Sequence, residues 1–155
     1  MKRLLDCSAS DFLNMTGQEL KQSIKASEGR VIMAETMTVP QPLYPDITNA
    51  ELAASFGADI VLLNLFDVFE PAVKGLEVEN DEEIIIELKK LLGRPVGINL
   101  EPVDADAAAH ETLDAVPRGR LAAVESLKRA HELGFDFVCL TGNPKTGVTN
   151  DMTID

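Results

Sequence analysis

A chain of 155 residues with 26 acidic and 14 basic side chains carries a formal net charge of −12. That charge opposes the attraction that nucleic acid or an anionic membrane surface would need, so neither is expected as a partner. The length suits a single domain in which roughly two-thirds of the unfolded chain's surface becomes buried.

The start Met1-Lys2-Arg3-Leu4-Leu5 is basic, but Asp6 interrupts it before a signal-peptide core can form. No apolar span approaches membrane length, and a cytoplasmic protein is expected. Two cysteines, Cys7 and Cys139, give neither a metal pattern nor a disulfide framework and read as packing residues. His110 and His131 lack zinc-type spacing, and His131 falls in the last turn of a predicted helix.

Residues 8–28 read as a leading helical segment that could cap a barrel floor. Thr16-Gly17-Gln18-Glu19 is a capping box, and Leu20 and Ile24 share one face. Gly29 ends it. The apolar run 31–34 then reads as a first parallel strand, buried on both faces and ending at Glu35. Pro40, Pro42 and Pro45 make the following stretch a stiff, extended loop.

A second capping box, Thr48-Asn49-Ala50-Glu51, opens a helix whose stripe is Leu52, Ala53 and Phe56, with Gly57 as its stop. Strand two covers 60–64 and ends at Asn64. The acidic stretch 77–83 favours a helix start, because carboxylates oppose the positive end of the helix dipole. Ile84, Ile85, Leu88, Leu91 and Leu92 supply its apolar face.

Gly93-Arg94-Pro95 turns into strand three, 96–100, followed by Glu101. Pro117 suits a first helical turn, and Leu121, Val124, Leu127 and Ala130 recur at helical spacing up to Gly134. Strand four covers 135–141 and ends at Thr141.

Four helix-to-strand repeats, each strand closing on a polar residue, are the grammar of an α/β chain of TIM type. A complete (β/α)8 barrel takes about 250 residues, so residues 1–155 are expected to form one half-barrel domain. It would have a leading segment over 1–29 and four parallel strands in order 1-2-3-4 over 30–155. The turns around Gly29, Gly57, Gly93 and Gly134 are short and the strand-to-helix loops long, which places any site at the C-terminal strand ends.

There Glu35, Asn64, Asp67, Asn99 and Glu101 are expected to converge, offering oxygen ligands of the kind magnesium accepts. Glu35, Asp67 and Glu101 are the candidate metal and acid/base groups, since a carboxylate buried beside another has a raised pKa and can act as a base. The alternative is structural: hydrogen bonds at the strand ends for Glu35 and Glu101, and a capped turn for Asp67. Asn64 and Asn99 would orient substrate.

The loop from Thr141 through Gly142, Asn143, Lys145, Thr146, Gly147 and Thr149 offers amides, hydroxyls and a lysine for an anionic group, or else a plain turn with Asn150 as N-cap. It lacks Walker A order. Asp104, Asp106, His110 and Glu111 read as part of a solvated loop or lid rather than a metal site.

The stretches Arg30-Val-Ile-Met-Ala-Glu-Thr36, Gly57-Ala-Asp-Ile-Val-Leu-Leu-Asn64 and Leu140-Thr-Gly-Asn-Pro-Lys-Thr-Gly-Val-Thr-Asn150 resemble a family of bacterial barrel proteins labelled phosphoenolpyruvate phosphonomutase-like. They are also similar to the BtpA family linked to photosystem I biogenesis. The resemblance covers the N-terminal half of such a barrel. It implies magnesium and a small phosphorylated or 2-oxo acid as substrate. It does not extend to the aspartate-rich magnesium motif or the cysteine-bearing loop of phosphonomutases and isocitrate lyases.

Two functions follow as expectations. One is a lyase, mutase or isomerase acting on a small anionic metabolite. The other is a non-catalytic half-barrel completed by self-association through its edge strands.

Overall fold

The computed structural model describes residues 2–104, 106–107, 114–143 and 145–154. Four parallel strands, β1 (Met33–Met37), β2 (Ile60–Asn64), β3 (Val96–Leu100) and β4 (Phe137–Leu140), form one sheet in the order β1-β2-β3-β4. Helices α3 (Asn49–Ser55), α4 (Ile84–Leu92) and α5 (Val124–Leu133) alternate with the strands. Short helices α1 (Ala9–Leu13) and α2 (Gly17–Ala26) precede them, and α6 (Asn150–Ile154) follows. This is half of a (β/α) barrel.

Side chains alternate across each strand, and that alternation divides the core in two. Val61, Leu63, Val96, Ile98 and Leu100 face the helical layer and pack with Ile85, Leu88 and Leu133. On the other face, Ile60 joins Leu4, Phe12 and Leu20 in a second cluster, with Phe137 packed against it. The leading segment therefore closes the barrel floor.

Capping fixes where the helices begin. Thr16 Oγ1 accepts from the Glu19 N–H at 3.3 Å while Glu19 takes the Thr16 N–H at 2.8 Å, and Thr48 and Glu51 repeat the arrangement at α3. Gly93 and Gly134 end α4 and α5 in the left-handed conformation that glycine adopts without strain. Asp136 locks the floor-side end of β4, accepting from Lys89 at 2.7 Å and from the Val96 N–H at 2.8 Å.

Several expectations shift. β1 lies two residues later than 31–35, because Ile32 is held by the Asp59 carboxylate and the register starts at Met33 opposite Ile60. Nor is it buried on both faces: exposure alternates along it, and Met33 and Met37, on the same face as Glu35, are about half exposed. β4 is shorter than 135–141 and only partly buried.

Phe56 leaves the α3 stripe, being 87% exposed at the helix end, and Ala50 supplies the buried contact instead. Leu91 points outward from α4. Helix α5 starts at Val124, after a 3-10 turn at Arg118–Arg120, and buries Ser126, Ala130 and Leu133 while Val124 and Leu127 are exposed. Helix α6 takes its cap from Thr149, whose hydroxyl accepts from the Met152 N–H at 3.3 Å, rather than from Asn150.

Candidate functional site

Glu101 is the hub of the strand ends. Its backbone extends β3, with the N–H donating to the Arg120 carbonyl at 2.8 Å, so the long loop after β3 returns beside it. Its side chain is 2% exposed and forms an ion pair with Arg120. Asn143 of the loop after β4 donates twice to the same carboxylate, from Nδ2 at 3.0 Å and from its backbone N–H at 3.3 Å. Asn143 also exchanges amide hydrogen bonds with Asn64 at the end of β2, the Asn64 Nδ2 donating at 3.3 Å.

Burial alone would raise the Glu101 pKa. The Thr146 hydroxyl, Arg120 and Asn143 outweigh it and hold the carboxyl below the ordinary value of 4.5. Thr146 stands between two acceptors, the Glu101 carboxylate and the Asn143 carbonyl at 2.8 Å. Glu101 is therefore an ionised anchor, not the raised-pKa base that a pair of adjacent carboxylates would give.

Glu35 lies mid-strand in β1 rather than at a strand end, and its side chain is exposed. Asn99 of β3 donates to it from Nδ2 at 2.9 Å, reaching across β2. That bond fixes the amide orientation, since the carboxylate only accepts. Asn99 is 4% exposed, and its Oδ1 has no hydrogen-bond partner among the described residues.

Asp67 stands apart. Its Oδ1 accepts from the N–H groups of Phe69 and Glu70 at 2.8 and 3.3 Å, an Asx turn that shapes the loop after β2. It lies in the wall of a cavity of approximately 790 Å³ between the loops that follow β1, β2 and β3. Thr38, Phe69, Lys74, Arg118 and Arg120 share that wall. The Arg118 guanidinium sits 4.8 Å from the centre of the Phe69 ring. Arg120 thus belongs both to the cavity and to the Glu101 hub.

In the loop after β4 most polar groups are spent within the protein. The Thr141 N–H donates to the Leu100 carbonyl, the Gly147 and Lys145 carbonyls accept from Asp104 and Asp114, and Thr149 Oγ1 donates to Asp104 at 3.3 Å. Val148 forms an antiparallel bridge with Val103, and Gly142 packs closely on the Val148 side chain. The loop is consequently fastened to the loop after β3. Asp106 donates its N–H to Asp104 in a tight turn, whereas His110 and Glu111 of the proposed lid lie outside the described residues.

The three candidate metal ligands are not one set. Glu101 is committed to Arg120, Asp67 to backbone amides and Glu35 to Asn99. Among the described residues there is no group of three or more His, Cys, Asp or Glu arranged for a metal ion. The donor arrangement therefore does not fit magnesium as drawn from these three residues.

Sequence reading missed Arg120, Lys74 and Arg118. Arg120 could have been suspected as the partner of a carboxylate at the end of a buried strand, since an ionised side chain there needs one. Among the described residues, no helix is long and apolar enough to cross a membrane.

No curated protein and no solved structure matches the chain. The family model described as Domain of unknown function (DUF7916) matches residues 5–155, and the chain belongs to that family.

Proposed function

We propose that this chain carries the strand-end site of a barrel-type lyase, mutase or isomerase whose substrate is a small phosphorylated or 2-oxo acid. The observation that supports it best is the buried Glu101–Arg120 pair, tied through Asn143 to Asn64 and opening onto a cavity whose wall carries Lys74 and Arg118 beside Asp67 and Glu70. A buried ion pair is poor evidence of stabilisation, because desolvation offsets the attraction. Its placement where barrel chemistry is built is better explained by positioning of a ligand.

In this reading Glu35 moves the proton. It is exposed, and one of its oxygens is oriented by Asn99, which leaves the other for a carbon acid next to a carbonyl. Asn64 and Asn143 orient the substrate's oxygens. No step is assigned to a metal. Kinship with the phosphonomutase-like and BtpA families, and a cytoplasmic setting away from nucleic acid and membranes, belong to the same proposal.

The test is thermal unfolding in the presence of a panel of phosphorylated and 2-oxo acids, each with and without magnesium. A binder at a hundredfold excess over its Kd stabilises the fold by about 2.7 kcal/mol and raises the melting point accordingly. Absence of any shift across the panel, for the longest natural form of the protein as well, would falsify the reading.

A second reading, a non-catalytic half-barrel stabilised by self-association, is favoured by the sheet edges. Met33 and Met37 on β1, Ile32 just before it and Leu140 on β4 are exposed, and an open parallel edge is a template for another strand. Two copies related by a two-fold axis could complete an eight-stranded ring. Sedimentation at micromolar concentration decides it: a persistent monomer is incompatible with this reading.

A further inference from the structure

We infer that the anionic end of the ligand is held by Lys74 and Arg118 in the cavity over β1, β2 and β3, and not by the loop after β4. The inference rests on the proposed handling of a small acid and names the place where its phosphate or carboxylate sits.

Three cations line this cavity in a chain of net charge −12, against the carboxylates of Asp67 and Glu70. One of those carboxylates is already engaged, because Asp67 accepts two backbone amides. Of the cations, Arg120 is tied to Glu101, which leaves Lys74 and Arg118 to meet an incoming charge. Lys74 forms no ion pair among the described residues. Its backbone is nonetheless fixed, the N–H donating to the Thr38 carbonyl at 3.0 Å.

Arg118 pairs with Glu125, but both side chains are largely exposed, at 71% and 66%. Such a pair contributes little and yields readily to a better acceptor. The guanidinium lies over the Phe69 ring in the same cavity wall, a contact that leaves its N–H donors for an anion. A lysine with three donors and an arginine with a planar fork together suit a small group bearing two or three terminal oxygens.

The loop after β4 is less suited. Thr146 and Thr149 direct their hydroxyls to Asn143 and Asp104, and the loop is bridged to the loop after β3. Lys145 remains exposed there, but the neighbouring groups that would build a cradle around it are occupied. An acid anchored at Lys74 and Arg118 would have Arg120, which lines the same cavity and is tied to Glu101, beside its other end, so the anchor also sets the orientation.

The experiment measures binding of inorganic phosphate, phosphoglycolate and pyruvate by calorimetry and thermal unfolding. It compares the wild-type chain with Lys74→Ala, Arg118→Ala and Lys145→Ala, with Lys74→Arg as the conservative control. All three positions are exposed, and urea unfolding of each variant without ligand reports whether the fold is intact.

Lys74→Ala and Arg118→Ala are expected each to weaken phosphoglycolate about tenfold, as for loss of one charge-assisted contact. Lys145→Ala should leave it unchanged, and Lys74→Arg should retain most of it. If Lys145→Ala loses the affinity while the other two keep it, the anchor lies on the loop after β4, and this inference falls while the proposed function stands. Binding of inorganic phosphate that depends on Lys74 and Arg118, with no organic acid binding more tightly, would keep the anion site and remove the proposed function. Absence of any anion binding overturns both.

Discussion

Asn99 of β3 donates its side-chain amide to Glu35 of β1 at 2.9 Å, joining two strands that are not neighbours in the sheet. The bond passes over β2, and it leaves Asn99 Oδ1 buried without a partner among the described residues. Asn99→Asp places a carboxylate at a position only 4% exposed against the carboxylate of Glu35. The pair then holds a proton more tightly in the folded than in the unfolded state, so stability falls as pH rises through the raised pKa. Urea unfolding should show a loss of about 2–4 kcal/mol at pH 7 that largely recovers under acid conditions. Equal losses at both pH values would show that the two groups are not coupled.

Glu101→Gln removes the charge from the hub and leaves Arg120 facing a neutral amide. Breaking a buried pair costs about 3 kcal/mol, and the loss should appear at neutral pH in a chemical denaturation curve. The Glu101 pKa is depressed in the fold, so its contribution is present above the ordinary value of 4.5 and is lost as pH falls through the folded value. Wild type and variant should therefore converge in stability below that pH. A gap that persists there would assign the effect to packing instead.

Gly119 lies against the loop after β2 so closely that a methyl group at its α carbon would overlap the Asp67 carboxylate. Gly119→Ala should displace the Asx turn, cost about 1–3 kcal/mol as an overpacked site, and alter the cavity wall. Amide exchange should quicken at Phe69 and Glu70, the two N–H groups that Asp67 accepts. Unchanged exchange at both residues would mean that the loop accommodates the methyl group without moving.

Thr48 is fully buried and caps α3 through the reciprocal pair with Glu51. Thr48→Ala should destabilise the domain by about 1 kcal/mol in thermal or urea unfolding, whereas Thr48→Ser should keep most of the cap. Similar losses for the two would point to the packing of the threonine methyl rather than to its hydroxyl.

Local rules carried the reading of the fold where they act within a few residues. The Thr16 and Thr48 capping boxes, the glycine stops at Gly93 and Gly134 and strands β2 and β3 stand where sequence spacing puts them. Errors arose where burial depends on a distant neighbour. Val31 and Ile32 are as apolar as any central strand, but nothing within the run reveals that β1 is an edge or that Asp59 sets its start. Phe56 and Val124 fit helical periodicity, yet they fall at helix ends that the sheet does not cover.

At the candidate site the polar residues were legible because they interrupt apolar strands, as Asn64, Asn99 and Glu101 do. Their pairings were not, because the partners lie in loops whose return path leaves no periodic mark. Arg120 is 19 residues from the carboxylate it neutralises, and Asn143 is 42. Asp67 was named for its charge, but the adjoining backbone amides decide how that charge is used.

The closed floor of the barrel also governs the order in which the molecule can be completed. Phe12 and Leu20 are made early, yet their cluster takes in Ile60 of the second strand and packs against Phe137 of the last. During synthesis the apolar faces of the leading helices lack part of their cover until both β2 and β4 have emerged. Such long-range closure is slow, and it exposes surface that favours association in the interval. The leading segment thus acts as a keystone that is made before β2 and β4 and set only once both are in place.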